Sequence, residues 1–248
     1  INDEDIKEYY STRQPYGEWL DQNLVHLGDL KIPNKGIEKY DKESLVRHQK
    51  VFGYTYEQIR TSILPMAKNG TEPIAAMGAD TAIPPLSQKD GPLFNYFKQL
   101  FAQVTNPPFD SIREEIVTDT SVHLGSNGNI LEEKPENCHI LKIEDPILTN
   151  TDLLKIKNID APGLKSAVIP ITYYKSTNLA KAIEHLFILA DKAYKDGANI
   201  IILSDRGVDE YHVAIPSLLA VSAMQQHLVR TKKRTSISVI LESAEPCE

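Results

Sequence analysis

"ANIIILSD", residues 198–205, is an almost wholly apolar run of strand length that ends in two polar residues. A strand with no polar alternation is one covered on both faces, as in the interior of a parallel sheet. On its N-terminal side lies "NLAKAIEHLFILADKAYKDG", 178–197. Leu179, Ile183, Leu186, Phe187, Ala190 and Ala193 repeat there at helical spacing, and Gly197 is placed to stop the helix. Before that comes "SAVIPITYY", 166–174, read as another buried strand. On the C-terminal side, "IPSLLAVSAMQQHLV", 215–229, is a helix with Pro216 near its first turn, and "SISVILES", 236–243, is a third strand. Strand, helix, strand, helix, strand with short connections predicts consecutive parallel βαβ units. Ile200 to Leu203 should be buried in the middle strand. Both a doubly wound sheet and part of a (β/α)₈ barrel fit this pattern.

The preceding two-thirds of the chain is less regular. Residues 1–50 read as a polar, interrupted extension with short helical pieces such as "YGEWLDQNLVHL", where Trp19, Leu20 and Leu24 are spaced to anchor a helix on something larger. Residues 51–248 read as the main α/β domain. Within it, "TYEQIRTSILPMAKNG" predicts a helix carrying Tyr56, Ile59, Ile63 and Leu64 and stopped by Gly70. "PLFNYFKQLFAQV", 92–104, predicts another, with Leu93, Phe94, Phe97, Leu100, Phe101 and Val104 on one side. "SVHLG" and "HILKI" predict short strands around the hairpin signal Asn127-Gly128.

Composition narrows the function classes. The net charge of −7 argues against a general nucleic-acid binder, which needs a basic face to displace counterions. The basic cluster Arg230, Lys232, Lys233 and Arg234 falls at a helix end and reads as its solvated cap. Two cysteines, Cys138 and Cys247, have no CxxC spacing, which excludes a disulfide framework or a cysteine-rich metal site within these residues. Cys138-His139 are neighbours on an extended segment and point to opposite faces. No apolar run reaches the ~20 residues that span a membrane, and no signal or transit pattern is present, so a cytoplasmic setting is expected. The chain starts at Ile1 rather than Met and its last residues directly follow a strand, so the sequence reads as a segment of a longer one.

In α/β sheets and barrels, ligands meet the loops after the strands. Those loops are "TYYKST", "SDRGVDEYH" and "ESAEPCE". Asp205 and Arg206 are candidate ligand contacts, with Glu210 and His212 as acid–base candidates. The alternative is an Asp–Arg pair that only holds the loop together. No GxGxxG, GxxxxGK[ST] or GxSxG motif follows any strand, and no catalytic constellation, cofactor site or metal site is expected. Two irregular stretches stand apart. In "EPIAAMGADT", the flexible Met77 beside Gly78 suits close backbone approach, and Asp80 and Thr81 supply polar groups. In "QLFAQVTNPPFDSIREE", 99–115, the run Thr105, Asn106, Pro107 and Pro108 abruptly separates two strong segments and fixes the backbone between them. Loop packing and ligand contact both fit these stretches.

Taken in order, "PYGEWL", "EPIAAMGADT", "YFKQLFAQVTNPPFDSIREE", "LGSNGNILEE", "ILSDRGV" and "IPSLLAVSAMQQHL" resemble the central domain of glutamate synthase, from about residue 13 onward. Ala79 stands where a more polar residue is expected. The resemblance implies a parent enzyme that converts L-glutamine and 2-oxoglutarate to two L-glutamate with two electrons. It implies an amidotransferase domain on one side and, on the other, a synthase domain with FMN and an iron–sulfur cluster, with ammonia passing between them through a tunnel. The central domain would be a partial, TIM-barrel-like (β/α) fold without flavin, and would hold no complete active site. Met77, Gly78, Ala79, Asp80, Thr105, Asn106, Pro107 and Pro108 would line the tunnel or the domain boundary. The parent's electrons would come from ferredoxin or an NAD(P)H-oxidising subunit, in the cytoplasm or, in a plant or alga, the plastid stroma. A stand-alone barrel enzyme binding a flavin or a phosphorylated metabolite is the competing expectation, and an interaction scaffold is a third.

Overall fold

The computed structural model describes residues 2–37, 39–74, 85–88, 91–97 and 108–245. In chain order the elements are α1 (Asp3–Thr12), α2 (Tyr16–Asn23), β1 (Val25–His26), α3 (Lys42–Val51), α4 (Tyr56–Gln58) and α5 (Leu64–Asn69). They continue with α6 (Ser111–Val117), β2 (Val122–Gly125), β3 (Ile140–Ile143), α7 (Asn150–Lys157), β4 (Ser166–Pro170) and β5 (Thr172–Tyr174). The last are α8 (Leu179–Lys195), β6 (Ile200–Ser204), β7 (His212–Ala214), α9 (Ser217–Arg230) and β8 (Ser238–Glu242).

The chain divides into two compact units. The first comprises Ile1–Ile37, Phe109–Ile215 and Ala220–Glu242. Its centre is a three-stranded sheet of order β4-β6-β8, with β6 parallel to both neighbours. The expected middle strand is therefore β6, and Ile200, Ile201, Ile202 and Leu203 are all fully buried. Ile200 and Ile202 join Leu124, Leu141, Ile143, Leu153, Ile156 and Leu164 in one apolar cluster. Those partners come from β2, β3, α7 and the loop before β4. Alternation turns Ile201 and Leu203 to the opposite side, that of the crossover helices. There α8 buries Ala182, Leu186 and Ala190, and α9 buries Ala220, Met224 and Leu228, each set at four-residue spacing. The fold is thus mixed α/β with a parallel sheet. Among the described residues neither β4 nor β8 has a strand on its outer edge.

A second sheet of order β1-β3-β2 ties the first residues into this unit. Val25 pairs in parallel with Leu141, and β2 runs antiparallel to β3. Trp19 is half-buried beside Tyr16, as an anchoring residue should be, whereas Leu20 is exposed.

Three local expectations change. "SAVIPITYY" is not one buried strand: it breaks at Ile171 into β4 and β5. Pro170 offers no N–H to continue a ladder outward. Ile171 still donates to Ser204 O, but its carbonyl accepts from Ile215 N–H, which steers β5 onto β7 in a separate antiparallel pair. Val168 is 47% exposed, so β4 is an edge strand with one open face. Gly128 does take the left-handed turn, with φ +58°, yet β2 and β3 are joined by residues 126–139 rather than by a two-residue hairpin. "PLFNYFKQLFAQV" starts as a 3₁₀ turn over Leu93–Tyr96 and Phe97 is extended, so no helix runs through that point; 98–104 lie outside the described residues.

The second unit comprises Glu38–Pro108, Pro216–Leu219 and Ser243–Glu248. Its α4 opens with a capping box between Thr55 and Gln58, passes through a π-helical turn at Ile59–Ile63, and continues as α5 to the expected stop at Gly70, φ +65°.

Helices α8 and α9 are joined by a polar clamp. His227 stacks on Phe187 at 4.3 Å, and Asp191 meets both His227 Nε2 at 2.9 Å and Lys233 Nζ at 2.6 Å. So part of the basic cluster is paired rather than freely solvated. Partial burial pushes the Asp191 carboxyl up, but Lys233 and His227 outweigh it and hold it below its ordinary value. Asp191→Asn should therefore cost about 1 kcal/mol at neutral pH, a value discounted for the exposure of the pair. A depressed acid stabilises above its unfolded pKa, so the difference should close as pH falls below about 4. Equal urea midpoints for the two proteins at pH 7 would show that the clamp contributes nothing.

Candidate functional site

The polar residues buried in the first unit gather at the C-terminal ends of β6 and β8. Ser204, Asp205 and Glu242 are all below a tenth exposed. Parallel pairing puts Ser204 opposite Glu242 as the last residues of their strands. This is the edge at which open α/β sheets bind ligands.

Glu242 is the hub. Ser204 Oγ donates to its Oε2 at 2.6 Å, and Lys157 Nζ donates to Oε2 at 2.8 Å and Oε1 at 3.0 Å. Arg206 Nε also donates to Oε1, while its Nη2 reaches Asn150 Oδ1 at 3.0 Å. Asn150 and Lys157 are the two ends of α7, whose start is fixed by a Thr149–Asp152 capping box. One helix is thereby pinned at both ends to the sheet edge. Asp205 N–H donates to Glu242 O at 3.2 Å, and its own carbonyl accepts from Val208 N–H in the turn that follows. Burial raises the Glu242 carboxyl, but hydrogen bonds from Lys157, Ser204 and Arg206 outweigh that and hold it below its ordinary value.

The charge of Glu242 is compensated by its neighbours. A carboxylate saturated by two cations and a hydroxyl stays ionised near neutral pH and is neither general acid nor base. The Ser204 hydroxyl is spent on that carboxylate and has no histidine base, so it is no activated nucleophile. Of the expected loop residues, Arg206 enters the cluster through Glu242 and Asn150. Glu210 and His212 do not form an acid–base pair. Glu210 is exposed, and His212 sits on β7 held by Asp209 at 2.9 Å. Backbone N–H from Tyr211, with His212, holds the Asp209 carboxyl below its ordinary value. Nearby, Tyr174 and Tyr211 stack in parallel at 6.3 Å, with Lys175 Nζ 5.3 Å from the Tyr211 ring.

Sequence reasoning placed Ser204 and Glu242 at the starts of two strand-end loops without singling them out, and missed Lys157 and Asn150. An available signal was the matched endings of "NIIILS" and "SVILE", which parallel register sets side by side. Met77, Gly78, Ala79, Asp80, Thr105, Asn106 and Pro107 lie outside the described residues, and Pro108 is exposed. Among the described residues no group of three or more His, Cys, Asp or Glu could hold a metal, and no helix is long and apolar enough to cross a membrane.

The family model of the glutamate synthase central domain matches residues 47–248. The chain belongs to this family. The glutamate synthase [NADPH] large chain of Bacillus subtilis is 42% identical over all of this central-domain chain and 16% of its own length. The glutamate synthase [NADH] of Schizosaccharomyces pombe is 36% identical over the whole chain and 12% of its own length. The chloroplastic ferredoxin-dependent glutamate synthase of Oryza sativa is 36% identical over 99% of the chain and 15% of its own length. The central-domain chain thus spans between 12% and 16% of these relatives.

Proposed function

We propose that this chain is the connecting domain of a glutamate synthase, joining a glutamine amidotransferase domain to an FMN and iron–sulfur synthase domain and helping to line the ammonia route between them. The parent enzyme forms two L-glutamate from L-glutamine and 2-oxoglutarate with two electrons. Relatives named for NADPH, NADH and ferredoxin support either donor type for the parent. In this reading the parallel half is a reduced (β/α) barrel. Residues 1–50 lead into the central domain of 51–248, a boundary supported by the family match from residue 47.

The observation that carries the non-catalytic reading is the Glu242 cluster. Where an α/β enzyme would keep its ligand-binding edge open, this chain fills it with Lys157, Arg206 and Glu242 paired to each other. The same arrangement disfavours a stand-alone barrel enzyme, which needs free donors for a phosphate or flavin at that edge. A surface built for neighbouring domains is supported by α6, in the "NPPFDSIREE" block. Asp110 caps it, and Ile112 and Ile116, one turn apart, are both exposed.

Met77, Gly78, Ala79 and Asp80, with Thr105, Asn106, Pro107 and Pro108, are assigned to the tunnel wall. Paired prolines give such a wall a backbone that does not yield. In the parent-length enzyme, Met77→Ala should raise the ratio of glutamine hydrolysed to 2-oxoglutarate consumed, because ammonia escapes through a widened passage. Ala79→Leu should instead slow transfer while each half-reaction persists. Measured ratios equal to wild type in both variants, with normal folding, would remove these residues from the route and leave them as packing.

A further inference from the structure

Helix α9 begins at Ser217, directly after Pro216. The first turn of a helix leaves backbone N–H groups without intrahelical partners and concentrates partial positive charge there. Here the Ser217 N–H donates to Glu245 Oε2 at 2.5 Å, so a carboxylate 28 positions later supplies the anion. The segment that carries Glu245 is fastened within the same compact unit. Tyr54 Oη donates to Ala244 O at 2.6 Å, and Glu245 N–H donates to Ser243 Oγ at 3.1 Å.

A second observation is independent of the helix start. Ser217 is 1% exposed, and its Oγ is the only buried side-chain N or O without a hydrogen-bond partner among the described residues. Buried hydroxyls are almost always satisfied, so an orphaned one marks an acceptor that is missing. Glu245 serves the Ser217 N–H and leaves the Ser217 hydroxyl unserved. A tetrahedral oxyanion brings an acceptor for the N–H and further ones for the hydroxyl, in a place where helix ends bind such groups.

We propose that the first turn of α9 is an oxyanion site of the phosphate class, with Glu245 as its built-in occupant. Glu245 then acts as a latch: with its carboxylate in place the 243–245 segment is bound to the helix start and the position is closed to an external oxyanion. This goes beyond the connecting role, because it assigns the chain a ligand class of its own. Inorganic phosphate and the phosphoryl end of a monoester share the required chemistry.

The test is thermal unfolding and isothermal titration of the chain with inorganic phosphate or glycerol phosphate, against chloride at matched ionic strength. Wild type should show no saturable phosphate-specific shift. Glu245→Ala should show one, about 3–6 °C at roughly ten times its dissociation constant. Adding Ser217→Ala to that background should weaken phosphate about tenfold, as expected for a lost hydrogen bond to a charged group. Stabilisation by both ligands assigns the site to phosphoryl groups in general, and by phosphate alone to the free anion; either supports the proposal. No saturable shift in Glu245→Ala, equal binding by wild type, or no effect of Ser217→Ala would each overturn it. Should Glu245→Ala fail to fold, Glu245→Gln keeps the shape without the charge, and calorimetric binding of phosphate to it decides the matter in the same way.

Discussion

Glu242→Gln should lower stability by about 2–3 kcal/mol at pH 7, the largest loss expected from a polar substitution among the described residues. The amide keeps the volume and one oxygen acceptor, but Lys157 and Arg206 then face a buried neutral group and, through the amide NH₂, a competing donor. Removing one partner of a fully buried pair costs ~3–5 kcal/mol; the value is reduced here because the Lys157 and Arg206 side chains remain 23% and 32% exposed and water takes over part of their solvation. The pH dependence has a definite sign. The folded-state carboxyl is held below its ordinary value of 4.5, so its stabilisation is fully present above that pH. It is lost as pH falls through the lower folded-state value. The gap between wild type and variant should be wide at pH 7 and shrink steadily below about pH 4.5. Urea unfolding of both proteins between pH 3 and 7 reads this directly, and a gap that stays constant over that range would exclude Glu242 as the origin.

The parts of this fold that could be read from the sequence are those set by local periodicity. The run Ile200–Leu203 has no polar alternation, and only a strand covered on both faces explains that; the helix after Asn178 repeats apolar residues every three or four positions and ends at a glycine with φ +88°. What could not be read depends on partners distant in sequence. Ile171 ends β4 because its carbonyl is taken by Ile215, 44 positions on, and nothing within "SAVIPITYY" announces that beyond Pro170. Asn127-Gly128 does form its turn, but whether a turn closes a hairpin depends on what the strands do next, and here Asn127 N–H goes to Thr235 O instead. The candidate site shows the same division. Asp205 and Arg206 were visible as a polar end to an apolar strand, whereas Lys157 and Glu242 are 85 positions apart and meet only because α7 and β8 end at one edge. Family membership rests on long matching blocks rather than on any one such local signal.

Ile202→Ala should cost about 3–4 kcal/mol, within the range for deleting most of a buried aliphatic side chain when the surroundings cannot collapse. Ile202 has no exposed surface, and its face of β6 is shared with Leu124, Leu141, Ile143, Leu153, Ile156 and Leu164. Those residues are held by strands and a helix on the far side, so relaxation into the gap would have to move a whole layer. The informative control is Val168→Ala. Val168 is the register partner of Ile202 on the neighbouring strand, at the same level of the same sheet, but nearly half of it is exposed at the edge. It should lose less than about 1 kcal/mol, with β-propensity accounting for most of that. Both substitutions remove only carbon from a β-branched residue in one parallel ladder, so propensity and backbone pairing largely cancel between them. What remains is the burial of β6 between two layers. Equal denaturation midpoints for the two variants would mean that the β2–β3–α7 layer does not press on β6, and that the parallel sheet is not the core of this domain.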